Sequence, residues 1–431
     1  MKIGEALTQV FREERLHPET KYRLLGVKWY GKGVFLREEK CGREIKATKL
    51  YRVKEGDFIY NRLFAWKSSF AIIPEEFEGG MVSSEFPLFT CDKSKALPYY
   101  ILSYILLPAS ITAVNNLSGG MSSVSRKRFK EKDFLNFTIP NYDIKIQERI
   151  CCQIQESISI LLTQEKESNH QHSLLDRLRQ AILQESTDGK LTVEWRREHP
   201  ELISGDNHAS KLLERIKTEK ERLVKEPKIK KEKPLAALTD NEKPFDLPEG
   251  WVWCRLGTCS TNKDEARQPI SQLERQRRGK IFPYYGASGI IDKIDGFTHE
   301  GRNLLIGEDG ANLLARSTSV AFIADGKYWV NNHAHVLGFL DESTLRFVEI
   351  FINAIDLKPY VTGGFQPKLS QRNLNRILVA FPPPHEQQVI IDRVDELMIV
   401  INDLQKQLSK RKEQSEMLMQ SVLREAFDKD S

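Results

Sequence analysis

Apolar residues fall on a four-three spacing at Ile390, Val394, Leu397, Ile401, Leu404, Leu408, Leu418 and Val422, a run interrupted only by Arg411 and Ser415. Side chains spaced in this way share one face of a helix and form the seam of a coiled coil. An earlier stretch keeps the same register at Ile150, Ile154, Leu161, Leu175, Leu178 and Ile182, with polar Ser157, Gln164, Ser168 and Gln171 in the intervening seam positions. Each run predicts a helix of about 40 residues, about 60 Å long at the α-helical rise. Periodicity alone also fits an ordinary helical bundle core.

The two runs belong to an internal repeat of about 240 residues, which favours pairing of the helices with each other. Leu178-Arg-Gln-Ala-Ile-Leu-Gln-Glu185 aligns with Leu418-Met-Gln-Ser-Val-Leu-Arg-Glu425, and Gln147-Glu-Arg-Ile150 aligns with Gln387-Gln-Val-Ile390 at the same offset. Each Gln-x-x-Ile follows a proline, at Ile139-Pro140 and at Phe381-Pro-Pro-Pro384. Proline stops a strand and prepares the start of a helix. The predicted helices span 143–186 and 385–428, and an antiparallel pair of such helices makes a rigid spacer.

Outside the helices, residues 1–142 and 246–384 alternate short β-branched or aromatic runs with turn residues. Gly33-Val-Phe-Leu36, Asp57-Phe-Ile-Tyr60 and Phe70-Ala-Ile-Ile73 predict strands in the first half; Ser319-Val-Ala-Phe-Ile323, His335-Val-Leu-Gly-Phe339 and Ile377-Leu-Val-Ala-Phe381 do so in the second. Each half also has one apolar helical stretch, at Tyr99 to Ala113 and at Thr344 to Ile355. The fold class is therefore mixed α/β, with two α/β heads. Residues 187–245 form a charged helical linker, with a helical run from Lys211 to Leu223 and a lysine-rich exposed tether from Lys225 to Pro234.

Beyond each apolar helix lies a Gly-Gly pair and then a polar, basic loop: Met121-Ser-Ser-Val-Ser-Arg-Lys-Arg128 after Gly119-Gly120, and Phe365-Gln-Pro-Lys-Leu-Ser-Gln-Arg372 after Gly363-Gly364. Glycines let a backbone approach a phosphate, and Lys, Arg, Ser and Gln donate to phosphate oxygens and base edges. One such loop is ordinary surface; two at equivalent positions leave nucleic-acid contact and plain surface as competing readings.

Composition narrows the classes. A chain of 431 residues exceeds a single core. Its net charge of +5 is small against 29% charged residues, so any basic surface is local. The six cysteines form no CxxC pair, which argues against a zinc site and against a disulfide scaffold. Met1 to Glu19 lacks the apolar core of a signal peptide, giving an expected cytoplasmic location and no membrane partner. Glu308 and Asp309 are adjacent in an Ile-Gly-Glu-Asp-Gly turn, and turn chemistry accounts for them better than a nuclease metal pair does. His333 and His335 share a face if they lie on a strand, yet no third ligand accompanies them, so packing or hydrogen bonding is expected. No phosphate-binding loop, Asn-Pro-Pro-Tyr-type methylation motif or glycine-rich cofactor turn is found.

The ordered motifs resemble those of type I restriction-modification specificity subunits over essentially the whole chain. They comprise Leu247-Pro-Glu-Gly-Trp-Val-Trp-Cys-Arg-Leu-Gly257, Pro283-Tyr-Tyr-Gly-Ala-Ser-Gly289, Leu305-Ile-Gly-Glu-Asp-Gly-Ala311, Val330-Asn-Asn-His-Ala-His335, Gln366-Pro-Lys-Leu369 and Pro382-Pro-Pro-His-Glu-Gln387. Gly56-Asp-Phe-Ile-Tyr-Asn-Arg62 and Val82-Ser-Ser-Glu-Phe-Pro87 belong to the same set. The first half departs from the pattern in lacking the proline run before Gln147 and the usual opening phrase over residues 1–25.

The resemblance implies two target-recognition domains, at 1–142 and 246–384, each reading half of a split double-stranded DNA site. It implies an approximate two-fold axis if the spacer helices form an antiparallel coiled coil. It also implies methylation subunits, in two copies, that bind S-adenosylmethionine, and restriction subunits that use ATP and Mg, with neither catalytic residues nor cofactor in this chain. Loop position, charge and recurrence single out Arg126, Lys127 and Arg128 in the first head as DNA contacts. In the second head they single out Tyr285, Gln366, Lys368, Gln371 and Arg372. The competing readings are a coiled-coil scaffold without DNA binding, a specificity module serving methylation only, and a self-contained nuclease.

Overall fold

A computed structural model describes residues 1–47, 49–118, 127–227, 229–230 and 234–428. The chain divides into two compact units, Met1–His170 with Leu408–Ser431, and Gln171–Gln407. The fold is mixed α/β.

Both units are built on the same strand order. In the first, one sheet runs Leu7–Val10, Leu88–Cys91, Phe58–Tyr60 and Phe70–Ile72, antiparallel throughout. In the second, Thr261–Asn262, Ala334–Gly338, Asn303–Gly307 and Ala321–Ala324 repeat that order and sense. The companion sheet of the first unit contains Leu50–Arg52, Met81–Val82, Lys21–Val27 and Val34–Cys41, with Glu13–Glu14 at its edge. Lys21–Val27 pairs in parallel with Met81–Val82 and antiparallel with Val34–Cys41. The second unit matches it with His299–Glu300, Lys327–Val330, Phe282–Gly286 and Gly289–Ile294, whose parallel pair is Phe282–Gly286 with Lys327–Val330. The duplication seen in the sequence of the helices thus extends to the topology of the heads.

The cores differ in chemistry. The first is aromatic: Phe58, Tyr60, Phe70, Phe89, Phe129 and Phe134 are fully buried, and the rings of Tyr60 and Phe134 lie 5.0 Å apart. The second is mainly aliphatic, around Leu304, Ile306, Leu337, Val348 and Val379. Each buried side chain of this size contributes about 1.5–3 kcal/mol.

The apolar stretch expected as one helix from Tyr99 to Ala113 is two helices, Pro98–Ile105 and Pro108–Leu117, bent by 78°. Pro108 has no N–H and its ring clashes with the carbonyl of Tyr104, so the first helix cannot continue through it. The second unit has no such proline, and Glu342–Ala354 is one helix. Asp341 caps it, its Oδ1 accepting from the Thr344 N–H at 2.7 Å. Among the described residues no single helix is long and apolar enough to cross a membrane.

The long helices are Ile144–Thr187 and Pro384–Asp428. Within each unit the start of one packs with the end of the other. Ile150, Cys151 and Ile154 share the first core with Ala426 and Phe427, and the Tyr142 hydroxyl donates to the Phe427 carbonyl at 3.5 Å. Ile390, Ile391 and Val394 share the second core with Ile182, and Arg179 donates to Asn402 Oδ1 at 2.7 Å and Gln405 Oε1 at 3.1 Å. The seam is buried unevenly. Ile154, Leu161, Val394, Ile401 and Leu408 are covered, whereas Leu178, Leu397, Leu404 and Leu418 are each more than a third exposed. The starts of both helices pack on a head, so burial follows the head-facing line rather than the whole stripe.

The repeated glutamine has a structural job. Gln147 is fully buried; its Nε2 donates to the Tyr142 and Lys95 carbonyls at 2.8 and 3.3 Å, and its Oε1 accepts from the Leu97 N–H at 2.9 Å. Gln387, also fully buried, donates to the Pro382 carbonyl at 3.0 Å and accepts from the Thr344 hydroxyl at 3.1 Å. Each therefore ties the start of a long helix to the start of the apolar helix of its unit. Gln147→Leu is expected to lower stability by about 1–3 kcal/mol, because it strands the Leu97 N–H in the core. A melting curve that coincides with that of the unaltered chain is the result that contradicts this role.

The charged linker is not free of the second unit. Its helix Ala209–Lys225 places Ala209, Leu212 and Ile216 in the second core, and Lys220 Nζ donates to the Gly257 and Ser260 carbonyls, each at 2.7 Å. The tether from Lys225 to Pro234 lies partly outside the described residues, at Lys228 and at 231–233.

Candidate nucleic-acid interface

Both units fix their basic loop to the same frame. In the second unit the strand Asn303–Gly307 ends in the turn Glu308–Gly310. Glu308 N–H donates to the His333 carbonyl at 2.8 Å, and Leu369 N–H donates to the Glu308 carbonyl at 2.7 Å. In the first unit Phe58–Tyr60 ends at Asn61–Arg62. Arg62 N–H donates to the Glu85 carbonyl at 3.0 Å, and Phe129 N–H donates to the Arg62 carbonyl at 3.0 Å. These are the same two backbone bonds in the same topological places, and they put Arg128 where the second unit has Lys368.

Side chains lock the two frames with opposite charge patterns. In the second unit Glu308 accepts from Arg267 at 2.6 Å and pairs with Lys368 Nζ at 3.2 Å. Burial pushes the Glu308 carboxyl up, but Arg267, His335 and Lys368 together hold it below its ordinary value. Asp264 responds in the same way: burial raises it, and His335, the Val336 N–H and Arg267 lower it further. In the first unit Arg62 stands in the position of Glu308 and pairs with Glu131, while Arg128 pairs with Glu85.

The histidines belong to this network. His333 Nδ1 lies 2.7 Å from Asp309 Oδ2. His335, fully buried, sets Nδ1 2.6 Å from Asp264 Oδ2 and Nε2 2.8 Å from the Leu369 carbonyl. His335 acts as a buried hydrogen-bonding strut beneath the loop, while His333, at the surface, braces the Glu308–Gly310 turn through Asp309.

The loop itself is a tight hairpin. Thr362 N–H donates to the Lys368 carbonyl at 2.9 Å and Lys368 N–H returns to Thr362 at 2.7 Å. Between them Gly363 has φ +89°, the left-handed region that favours glycine. Gln366 and Lys368 are exposed on this loop, and Gln371 and Arg372 are exposed at the start of the helix Gln371–Arg376, capped by Ser370. The structure brings these four together. Tyr285 is different: its ring is half-buried, stacked 5.8 Å from Phe322 and edge-on to Tyr328 at 5.5 Å. Burial raises its hydroxyl above the ordinary value. In the first unit Lys127 Nζ donates to Asn115 Oδ1 at 3.0 Å, and Arg126 lies outside the described residues.

Sequence reasoning missed Phe365, fully exposed at the loop tip, and the anchoring residues Arg267, Arg62 and Glu85. Phe365 could have been found, since an aromatic directly after Gly-Gly has no neighbour to pack on. The anchors could not, because their partners are distant in sequence.

Comparisons with known proteins agree with this arrangement. Residues 248–414 match the family model described as "Type I restriction modification DNA specificity domain". The chain is 31% identical over 279 residues to the "Type I restriction enzyme EcoAI specificity subunit" of Escherichia coli, covering 58% of this chain and 44% of that protein. It is 28% identical over 267 residues to the EcoEI specificity subunit of the same organism, covering 54% of this chain and 42% of that one. The chain spans less than half the length of these curated relatives. In fold it is similar to a solved chain described under complex assembly and conformational transition of the type I R-M system, with TM-score 0.70, 14% identity, and 99% and 96% of the two chains covered. It is also similar to the HsdS subunit from Thermoanaerobacter tengcongensis, with TM-score 0.50, 14% identity, and 99% and 95% covered. Residues 248–414 thus match the type I restriction-modification DNA specificity domain, and the chain is similar to the specificity subunits of type I restriction enzymes.

Proposed function

We propose that this chain recognises a bipartite double-stranded DNA site, each unit reading one half with its basic loop. The observation that carries this reading is the doubled frame: one topology and one pair of loop-anchoring backbone bonds, occurring twice with different side chains. A shared scaffold with divergent loops is what two different half-sites require. Target-recognition domains at 1–142 and 246–384 are joined by spacer helices at 143–186 and 385–428, which act as an antiparallel coiled coil and set the gap between half-sites. Head-to-tail packing of the helix ends inside each unit supports that pairing. Methylation subunits in two copies, using S-adenosylmethionine, and restriction subunits, using ATP and Mg, perform the chemistry in the cytoplasm, and this chain supplies recognition rather than catalysis.

Methylated positions mapped across the host genome, with and without an intact copy of this chain, test the reading. The expected result is one split motif of two short defined parts separated by a fixed gap, lost when the chain is absent. A continuous motif, or no dependence on the chain, sinks it.

A further inference from the structure

The hairpin joining Lys21–Val27 to Val34–Cys41 has the tip Lys28-Trp-Tyr-Gly-Lys-Gly33. In sheet order it is the first unit's counterpart of the turn between Phe282–Gly286 and Gly289–Ile294. Hairpin tips usually carry small polar residues, yet here Trp29 is 42% exposed and Tyr30 68% exposed. Tyr30 has φ +59°, a region that a bulky residue rarely occupies and that strained functional positions often do.

The tip is held rather than loose. Tyr30 N–H donates to the Lys67 carbonyl and Gly31 N–H to the Ser68 carbonyl, both at 2.8 Å, and Ser69 Oγ donates to the Val27 carbonyl at 3.0 Å. A side chain at Gly31 would meet Leu106 at 2.7 Å, so the backbone is pressed against the apolar helix beneath it. Trp29 is backed by Phe64 at 5.4 Å, and Lys67 Nζ sits 3.7 Å from the Trp29 ring centroid. Lys28, Lys32 and Lys67 form no ion pair with a carboxylate among the described residues, whereas Arg37 and Lys40, further along the strand, both pair with Glu38. The turn Ala65–Lys67 that clamps the tip follows directly from Arg62, the residue that anchors the basic loop.

We propose that this tip is a second duplex-DNA contact of the first unit: Lys28, Lys32 and Lys67 bind backbone phosphates, and Trp29 and Tyr30 lie against deoxyribose and base edges. The inference rests on the DNA-reading role of the heads. Lysine is depleted from the cores of protein–protein interfaces, whereas exposed aromatics ringed by unpaired cations are the composition of nucleic-acid surfaces. Pre-ordering of the tip avoids an entropy cost on binding.

The test uses the full chain assembled with its co-expressed methylation subunits, and a labelled duplex carrying the motif found by methylation mapping. Affinity is read by fluorescence anisotropy from 50 to 300 mM KCl. Tyr30→Gly removes the ring while glycine adopts the positive φ freely, so the fold is not strained. It is expected to weaken binding about 10-fold. Lys28→Ala with Lys32→Ala is expected to lower the salt slope by about two. Unchanged affinity and slope overturn the proposal, as does loss of assembly with the methylation subunits at unchanged DNA affinity, which marks the tip as a protein contact. If the unaltered complex itself binds no duplex, the DNA-reading role fails first and the hairpin contact falls with it.

Discussion

Glu386→Ala is expected to destabilise the second unit by about 3–5 kcal/mol, a large share of the roughly 5–15 kcal/mol that holds a domain folded. Glu386 is fully buried at the start of the terminal helix. Its Oε2 accepts from the Trp251 indole N–H at 2.8 Å; its Oε1 accepts from the Thr192 hydroxyl at 2.5 Å and from the Arg196 guanidinium. Alanine would leave a nearly buried guanidinium and an indole N–H without their carboxylate acceptor, with only the neutral Gly189 carbonyl at 2.7 Å and Thr192 hydroxyl at 2.9 Å still accepting from Arg196. Glu386→Gln keeps an acceptor for Trp251 and is expected to cost less. Thermal or urea unfolding of the two variants checks the order, and equal stability of alanine and glutamine variants refutes the argument.

The same residue gives a pH signature. Burial dominates its surroundings and holds the Glu386 carboxyl above its ordinary 4.5, in spite of Thr192, Arg196 and Trp251. The folded state therefore binds this proton more readily than the unfolded one. The associated stabilisation is complete below pH 4.5 and is lost as pH rises through the folded value. Asp264 and Glu308, both lowered, behave in the opposite sense: their contribution is present above 3.8 and 4.5 respectively and is lost on acidification. Subtracting the unfolding profile of Glu386→Gln from that of the unaltered chain is expected to leave a slope just above pH 4.5 and not below it.

What could be read from the chain depended on how local the cause was. The long helices were legible because their period is written into consecutive residues, and Gln147 and Gln387 stood out as a repeat before their bonds were known. The uneven burial of Leu397 and Leu404 was not legible, since it depends on which side of the helix meets a head. Strand order was hidden for the same reason: Leu7–Val10 pairs with Leu88–Cys91 across most of the first unit. The break at Pro108 was visible in the sequence, but the apolar run on either side of it masked the break.

At the site, the hairpin of the second unit was legible through its glycines and cations, whereas residues 119–126 of the first loop lie outside the described residues. The equivalence of the two loops was read from the sequence, but their anchoring was not, because Arg62 replaces Glu308 at the anchoring position and the ion pairs reverse accordingly. Tyr285 was singled out with the loop residues as a DNA contact, yet Phe322 and Tyr328, distant in sequence, pack against its ring.

Gly363→Val is expected to weaken DNA binding by about 100-fold while costing the fold little. Gly363 sits at φ +89°, and a Cβ there would approach the Gln366 carbonyl oxygen to 2.5 Å. Valine therefore forces the hairpin between Thr362 and Lys368 to open, which displaces Gln366 and Lys368 together. Base and phosphate contacts of this kind are worth about 1–3 kcal/mol each, so losing two of them gives the expected loss. Gly364 provides the control: its φ is not positive and a Cβ there meets nothing within 4 Å, so Gly364→Val should bind almost as the unaltered chain does. Lys368→Ala separates charge from shape. It should weaken binding to all sequences alike and reduce the salt slope by about one, whereas the Gly363 variant should also relax discrimination at one half-site. Anisotropy titrations of the assembled complex on matched and mismatched duplexes distinguish these patterns. Native affinity in Gly363→Val removes this loop from the interface, because no conformation open to valine at that position preserves the hairpin.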